Sequence, residues 1–222
     1  MEQSKVLITG ANRGIGLALA TQYANAGAQV FAVCRSRSEG LDHDNITVVD
    51  GVDVTSADAV TKISEVLYGQ HLDILINNAG ILSRETLHDA PEESILKQFA
   101  VNSLAPLRLT IGLLPNLKEG SKVALITSRL GSMTDNGSGG YYGYRMSKAA
   151  LNAAGVSLAK DLETQGISVA LLHPGYVQTD MVNNSGDISA DTAAERLRQR
   201  IEELNQSNSG TFWHSNGEVL PW

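Results

Sequence analysis

Cysteine is almost missing from this 222-residue sequence, with Cys34 standing alone. One thiol builds neither an intrachain disulfide framework nor a cysteine-rich metal site, and its solitude suits a reducing compartment. The histidines His43, His71, His88, His173 and His214 are scattered at spacings that match no metal motif, so no metal is expected. Positive charge is in deficit too. With 17 Lys and Arg against 24 Asp and Glu the formal net charge is -7, which opposes the clustered cations needed to hold a nucleic-acid backbone. No apolar run reaches the roughly 18 residues of a membrane span. The N-terminus enters Val6-Leu7-Ile8 almost at once, without the basic flank and longer apolar stretch of a secretory leader. No Pro/Ser-rich linker, charge block or repeat divides the chain. Residues 1–222 are therefore expected to form one cytoplasmic domain with no membrane or nucleic-acid partner.

What the sequence does have is glycine, at 21 positions, and short apolar runs rich in β-branched residues. The runs at 6–9, 29–33, 46–49, 72–77, 123–127, 168–173 and 211–213 read as buried strands. Between them, 16–26, 57–67, 92–114, 143–165 and 190–204 place apolar residues at helical spacing. Gly27 and Gly166 follow two of these helical runs where a left-handed capping residue is wanted. Alternation of strand and helix predicts an α/β protein with a mostly parallel sheet of about seven strands covered by helices. The Gly/Ser/Asn-rich stretch from Gly131 to Gly140 reads as a loop over a site.

Several glycines cluster at the first strand-to-helix turn, Gly10-Ala11-Asn12-Arg13-Gly14-Ile15-Gly16. Glycine there permits a tight turn and lets a pyrophosphate approach backbone that carries no Cβ, while the helix N-terminus supplies N–H donors and a positive dipole end. In dinucleotide-binding folds a carboxylate at the end of the second strand holds the adenine ribose 2′-hydroxyl. This chain has Cys34 and Arg35 at that place. Arg35, with Arg13 in the glycine loop, can clamp a 2′-phosphate, so NADP(H) is favoured over NAD(H). After the third strand, Asp53-Val54 is placed to meet the adenine, although Asp53 equally suits a loop or capping role. Together these features predict a three-layer, doubly wound Rossmann-type fold.

Tyr144-Arg145-Met146-Ser147-Lys148 opens the long fifth helical run. Residues four apart share a helix face, so the phenol and the ammonium can serve one substrate and one cofactor. An unperturbed tyrosine with a pKa of about 10 is a poor acid or base at neutral pH, and the nearby cation of Lys148 is expected to lower it. Tyr141 and Tyr142 are rival phenols without a lysine four residues on. Ser128 follows the strand ending at Thr127, at the carboxyl edge where open α/β sheets bind ligands, and Thr127 and Ser132 are its alternatives.

Taken together, these pieces resemble the short-chain dehydrogenase/reductase family. The matching motifs are Thr9-Gly10-x3-Gly14-x-Gly16, Asn77-Asn78-Ala79-Gly80, Ser128 with Tyr144-x3-Lys148, and Pro174-Gly175, in that order along nearly the whole chain. The segment His173 to Met181, with Tyr141-Tyr142 and the ending Leu220-Pro221-Trp222, looks most like the sniffer-type carbonyl reductases and bacterial C-factor-like proteins. The resemblance implies that Asn102 joins Ser128, Tyr144 and Lys148 as a fourth catalytic residue, holding a water beside Lys148. Read on its own, a polar residue in mid-helix is as well explained by a solvent-facing asparagine. The resemblance further implies that Asn78, Ala79 and Gly80 support the nicotinamide ribose side, that Lys148 bridges the ribose hydroxyls, and that Pro174, Gly175, Val177 and Thr179 contact the carboxamide side.

The implied chemistry is hydride exchange between nicotinamide and a carbonyl or alcohol substrate, with Tyr144 as general acid/base and Ser128 on the reacting oxygen. A competing expectation is a signalling or sensor protein of the C-factor type that binds NADP(H) with little turnover. A third is a Rossmann domain with a purely interaction role. The family also implies a homodimer or homotetramer formed through the helices that hold Asn102 and Tyr144. Leu151, Val156 and Leu158 fit either that face or the core.

Overall fold

Alternation along β1 (Lys5–Thr9) sends its side chains to two different cores: in the computed structural model, which describes residues 3–222, Leu7 joins one and Val6 and Ile8 the other. β2 (Gln29–Val33), β3 (Ile46–Val49), β4 (Leu72–Asn77), β5 (Leu117–Ile126), β6 (Ser168–His173) and β7 (Phe212–His214) complete one sheet. Its order is β3-β2-β1-β4-β5-β6-β7, and every neighbouring pair is parallel. The chain winds outward from β1 to β3, then returns to lay β4 on the other side of β1. That reversal opens a crevice at the carboxyl ends of β1 and β4.

Helices cover both faces. α1 (Gly14–Asn25) and α6 (Ala190–Glu203) pack Leu19, Leu197 and Ile201 on the side of Val6 and Ile8. On the side of Leu7, α2 (Ala59–Leu67), α4 (Ala105–Gly112) and α5 (Tyr142–Asp161) contribute Ile63, Leu109 and Leu151. The expected three-layer architecture is present. Gly27 and Gly166 adopt φ of 87° and 69° and end their helical segments as expected. No helix among the described residues is long and apolar enough to cross a membrane, and no cluster of three or more potential metal ligands occurs among them.

Two elements depart from the sequence reading. β5 begins at Leu117 rather than Val123, and its register against β4 shifts between Leu72 and Ile74 around the left-handed Gly120, so local periodicity does not show its early part. The helix expected over 92–114 is broken. α3 (Glu92–Phe99) passes into a π-helical turn, Ala100–Leu104, before α4 begins. Pro106 lies one turn beyond Asn102 and has no N–H to donate to the Asn102 carbonyl, which gives the ladder a reason to change pitch there.

Candidate active site

The turn after β1 is shaped by what side chains would obstruct. Gly10 and Gly14 are left-handed, with φ of 66° and 53°. A Cβ at Gly16 would run into the Gly10 carbonyl, and one at Gly10 would stand 2.9 Å from Ala79 Cα. The turn is pinned to the end of β4 by Thr9, whose hydroxyl accepts from the N–H groups of Asn78 and Ala79 at 3.0 and 3.1 Å. The Asn78 amide returns a bond of 3.0 Å to the Thr9 carbonyl. The loop is therefore rigid and bare, open to the N-terminus of α1.

A cavity of about 510 Å³ lies along this crevice. Gly10, Asn12, Arg13, Gly14, Ile15 and Gly16 form one wall, and Arg35, Asp53 and Val54 line it beyond the end of β2. Asn78, Ala79, Gly80, Tyr144, Lys148, Pro174 and Thr179 line the remainder. Asn102, Ser128, Gly175 and Val177 do not line it. Val177 is buried and pairs with Ile188, while Gly175 faces Ile188 and His214.

Arg13 pairs with Asp180 at 3.2 Å, both side chains being well exposed. Asp180 lines the same cavity and was not singled out from sequence, because nothing local to it points to the glycine loop. Asp53 lines the cavity and also serves its loop: its carboxylate accepts from Thr55 N–H and Oγ1 at 2.8 and 2.7 Å. Those bonds, with the Thr55 hydroxyl foremost, hold its pKa below the usual value.

Tyr144 and Lys148 stand on one face of α5, and both are buried. Ser128 is the side chain that pulls the Tyr144 phenol towards lower pKa. Ser128 Oγ accepts from Leu130 N–H at 3.2 Å. Of the alternatives, Thr127 lines the cavity but donates its hydroxyl to Asn152 at 2.7 Å, and Ser132 Oγ accepts from Asp135 N–H. Tyr141 is the left-handed residue ahead of α5, and Tyr142 is exposed. Lys148 Nζ donates to the Ile126 carbonyl at 2.8 Å.

One electrostatic expectation is corrected. Burial pushes the Tyr144 phenol up to about 12, against the opposing pull of Ser128. Burial likewise drives Lys148 down to about 7, so at neutral pH this ammonium is a weakened partner and does not lower the phenol.

Asn102 is wholly buried rather than solvent-facing. Its side chain accepts from Ile81 N–H at 2.9 Å and donates to the Ile81 carbonyl at 2.9 Å and Ser147 Oγ at 3.0 Å. A Cβ built on Gly80 would meet Asn102 Oδ1 at 3.4 Å and Lys148 Nζ at 3.8 Å, so the two side chains converge behind the cavity. Leu151 and Leu158 are core, whereas Val156 is exposed, as are Leu96, Phe99, Leu104, Ile111 and Met146. Sequence reading also passed over Arg145, which binds Gly140 O, Leu130 O and Ser138 Oγ and so ties down the glycine-rich loop.

The family model for short chain dehydrogenases matches residues 4–191. The chain is 40% identical over 225 positions to 1-hydroxy-2-glutathionyl-2-methyl-3-butene dehydrogenase of Rhodococcus sp. (strain AD45), covering 99% of this chain and 100% of that protein. It is 42% identical over 154 positions to C-signal of Myxococcus xanthus, covering 68% of this chain and 93% of that protein. Among solved structures, carbonyl reductase Sniffer of D. melanogaster is similar with a TM-score of 0.91 at 33% identity, over 100% of both chains. A carbonyl reductase from Pseudomonas aeruginosa PAO1 in complex with NADP is similar with a TM-score of 0.84 at 33% identity, again over 100% of both chains.

Proposed function

We propose that this chain, which belongs to the short chain dehydrogenase family, is an NADP(H)-dependent oxidoreductase that interconverts a small carbonyl compound and its alcohol. The observation that carries the reading is the buried Tyr144 at the cavity wall, with Lys148 one turn along the same helix lining the same cavity. The glycine cradle fits a dinucleotide, since side chains at Gly10 or Gly16 would occupy or distort it. When bound, NADP(H) supplies or accepts the hydride. In this reading residues 1–222 act as one cofactor-binding domain.

The chain's own residues then take distinct tasks. Backbone N–H groups around Gly14, Ile15 and Gly16 hold the pyrophosphate, aided by Asn12 and the α1 terminus. Arg13 and Arg35 hold the 2′-phosphate, and Asp53 with Val54 faces the adenine. Asn78, Ala79, Gly80 and Lys148 support the nicotinamide ribose, and Pro174 and Thr179 shape the carboxamide side, with Gly175 and Val177 behind them. In reduction, Ser128 donates to the carbonyl oxygen of the substrate while Tyr144 Oη delivers its proton there. A phenol held above neutrality by burial is fully protonated at pH 7 and suited to give that proton. Asn102, its side chain bonded to Ile81 and Ser147, is the residue that holds a water beside Lys148.

The names and ligands of the relatives favour this reading: two carbonyl reductases, one with NADP, and a dehydrogenase of a glutathionyl alcohol. The likeness to C-signal favours a second one, a signalling protein that binds NADP(H) with little turnover. Purified protein given NADPH or NADH with aldehydes, ketones and quinones, and NADP with a glutathione-thioether alcohol, separates them by nicotinamide absorbance. Turnover supports the enzyme; tight NADPH binding with none on any compound supports the second reading. Exposed apolar side chains on α3 to α5, such as Leu96, Ile111 and Val156, favour a homodimer or homotetramer, which sedimentation would resolve.

A further inference from the structure

α5 carries Tyr144 and Lys148, yet it begins without a cap of its own: Tyr141, ahead of its first turn, is left-handed with φ of 54° and makes no side-chain capping bond. The first N–H groups of a helix have no partner within it and must find one elsewhere. Glu85 supplies one from the loop between β4 and α3. Its carboxylate accepts from the Gly143 N–H at 3.2 Å through Oε2. Its Oε1 accepts from Gln98 Nε2 at 2.6 Å and from Ser94 Oγ at 2.8 Å. The Glu85 backbone carbonyl accepts from the Tyr141 N–H at 2.9 Å.

Glu85 is 3% exposed, and its carboxylate donors Ser94 Oγ, Gln98 Nε2 and Gly143 N–H are all neutral. A buried carboxylate is costly unless it is fully hydrogen-bonded, and the positive end of a helix offsets part of that cost. A leucine of similar size would fill the space and leave the Gly143 N–H orphaned. The joint is also close-packed: a Cβ at Gly143 would stand 2.5 Å from Gln98 Nε2 and 3.0 Å from Ile95 Cα. Gln98, wholly buried, accepts from Ser83 N–H at 2.9 Å and so carries the joint back to the loop after Gly80. The result ties the first turn of α5, the body of α3 and the loop that borders the cavity to one side chain.

We propose that Glu85 is a positioning residue for Tyr144, capping α5 from a neighbouring loop and fixing where the phenol stands relative to Ser128. This rests on the reading of Tyr144 as the acid/base group. Gly143 immediately precedes Tyr144, so a slackened first turn displaces the phenol, and small displacements of a reacting group are expensive in rate.

The test uses full-length Glu85→Ala and Glu85→Gln beside Tyr144→Phe, all with NADPH present. Glu85→Ala is expected to lose about 10- to 100-fold in kcat with the NADPH Kd and substrate KM within about twofold of wild type. Glu85→Gln retains an acceptor for Gly143 and is expected to recover most of that loss. Hydrogen exchange of the amides at 142–145 should rise at least about tenfold in Glu85→Ala while 150–161 stays protected. Unchanged kcat and exchange would overturn the proposal, as would a uniform loss of protection and NADPH affinity that marks general unfolding, or a Gln variant no better than Ala. If Tyr144→Phe instead turns over like wild type, the reading of Tyr144 fails. The exchange result still judges the cap, because it needs no turnover.

Discussion

Lys148 Nζ stands 5.7 Å from the centre of the Tyr144 ring, close enough for its charge to reach the phenol but bonded instead to the Ile126 carbonyl. Both groups are buried, and burial acts on them in opposite directions. The phenol is held protonated above its usual range and the ammonium is pulled towards neutrality.

A stability signature follows from Lys148. Its folded pKa is about 7 against an ordinary 10.5, so between those values the unfolded chain binds more protons than the folded one. Stability then rises with pH across that window, by at most about 1.4 kcal/mol per pH unit for one proton. Thermal midpoints from pH 7.5 to 9.5 should climb more steeply for wild type than for Lys148→Met, by up to about 3–6 °C per unit. Parallel slopes would show that the lysine is not depressed.

Tyr144 acts with the opposite sign at higher pH. Its folded pKa near 12 exceeds the ordinary 10, so from pH 10 upward the folded state holds the extra proton and stability falls. Tyr144→Phe should lose less stability than wild type between pH 10 and 11, read by denaturant titration at each pH.

Arg35 separates the two nicotinamide cofactors. Removing one charge-assisted contact costs about 1.5–3 kcal/mol, so Arg35→Ser should weaken NADPH roughly 10- to 100-fold and leave NADH nearly unmoved. Fluorescence titration with both cofactors measures it, and equal losses for the two would place Arg35 outside the phosphate site. Arg13→Ala should show a smaller effect, because Asp180 already competes for that guanidinium.

The glycine cradle makes a steric prediction. Gly16→Ala puts a methyl against the Gly10 carbonyl, and the turn must shift to admit it. NADPH affinity should fall more than about tenfold, with a thermal midpoint lower by a few degrees. An unchanged Kd would mean that the loop does not hold the pyrophosphate.

How much of this was legible depends on the distance over which each feature is encoded. The Gly10–Gly16 turn and the Tyr144/Lys148 pair are written within one strand–helix junction and one helical turn, so spacing alone exposes them. Asn102 was found by resemblance, but its burial was not: the π turn that swings it inward depends on the packing of α3 to α5 as well as on Pro106. The expected lowering of the Tyr144 pKa failed because sequence shows the charge on Lys148 and not the burial that weakens it. Glu85 and Gly143 lie 58 residues apart, and Arg13 and Asp180 lie 167 apart. Only the folded sheet brings such partners together, and no local pattern announces them.

The central claim is that Tyr144 delivers the proton in carbonyl reduction. It is tested most directly by the rate of NADPH oxidation with a carbonyl substrate at pH 7 in wild type and Tyr144→Phe, with the NADPH Kd measured for both. A fall of at least about 100-fold in kcat at unchanged Kd is the predicted result. Equal rates in the two proteins at saturating NADPH would contradict it.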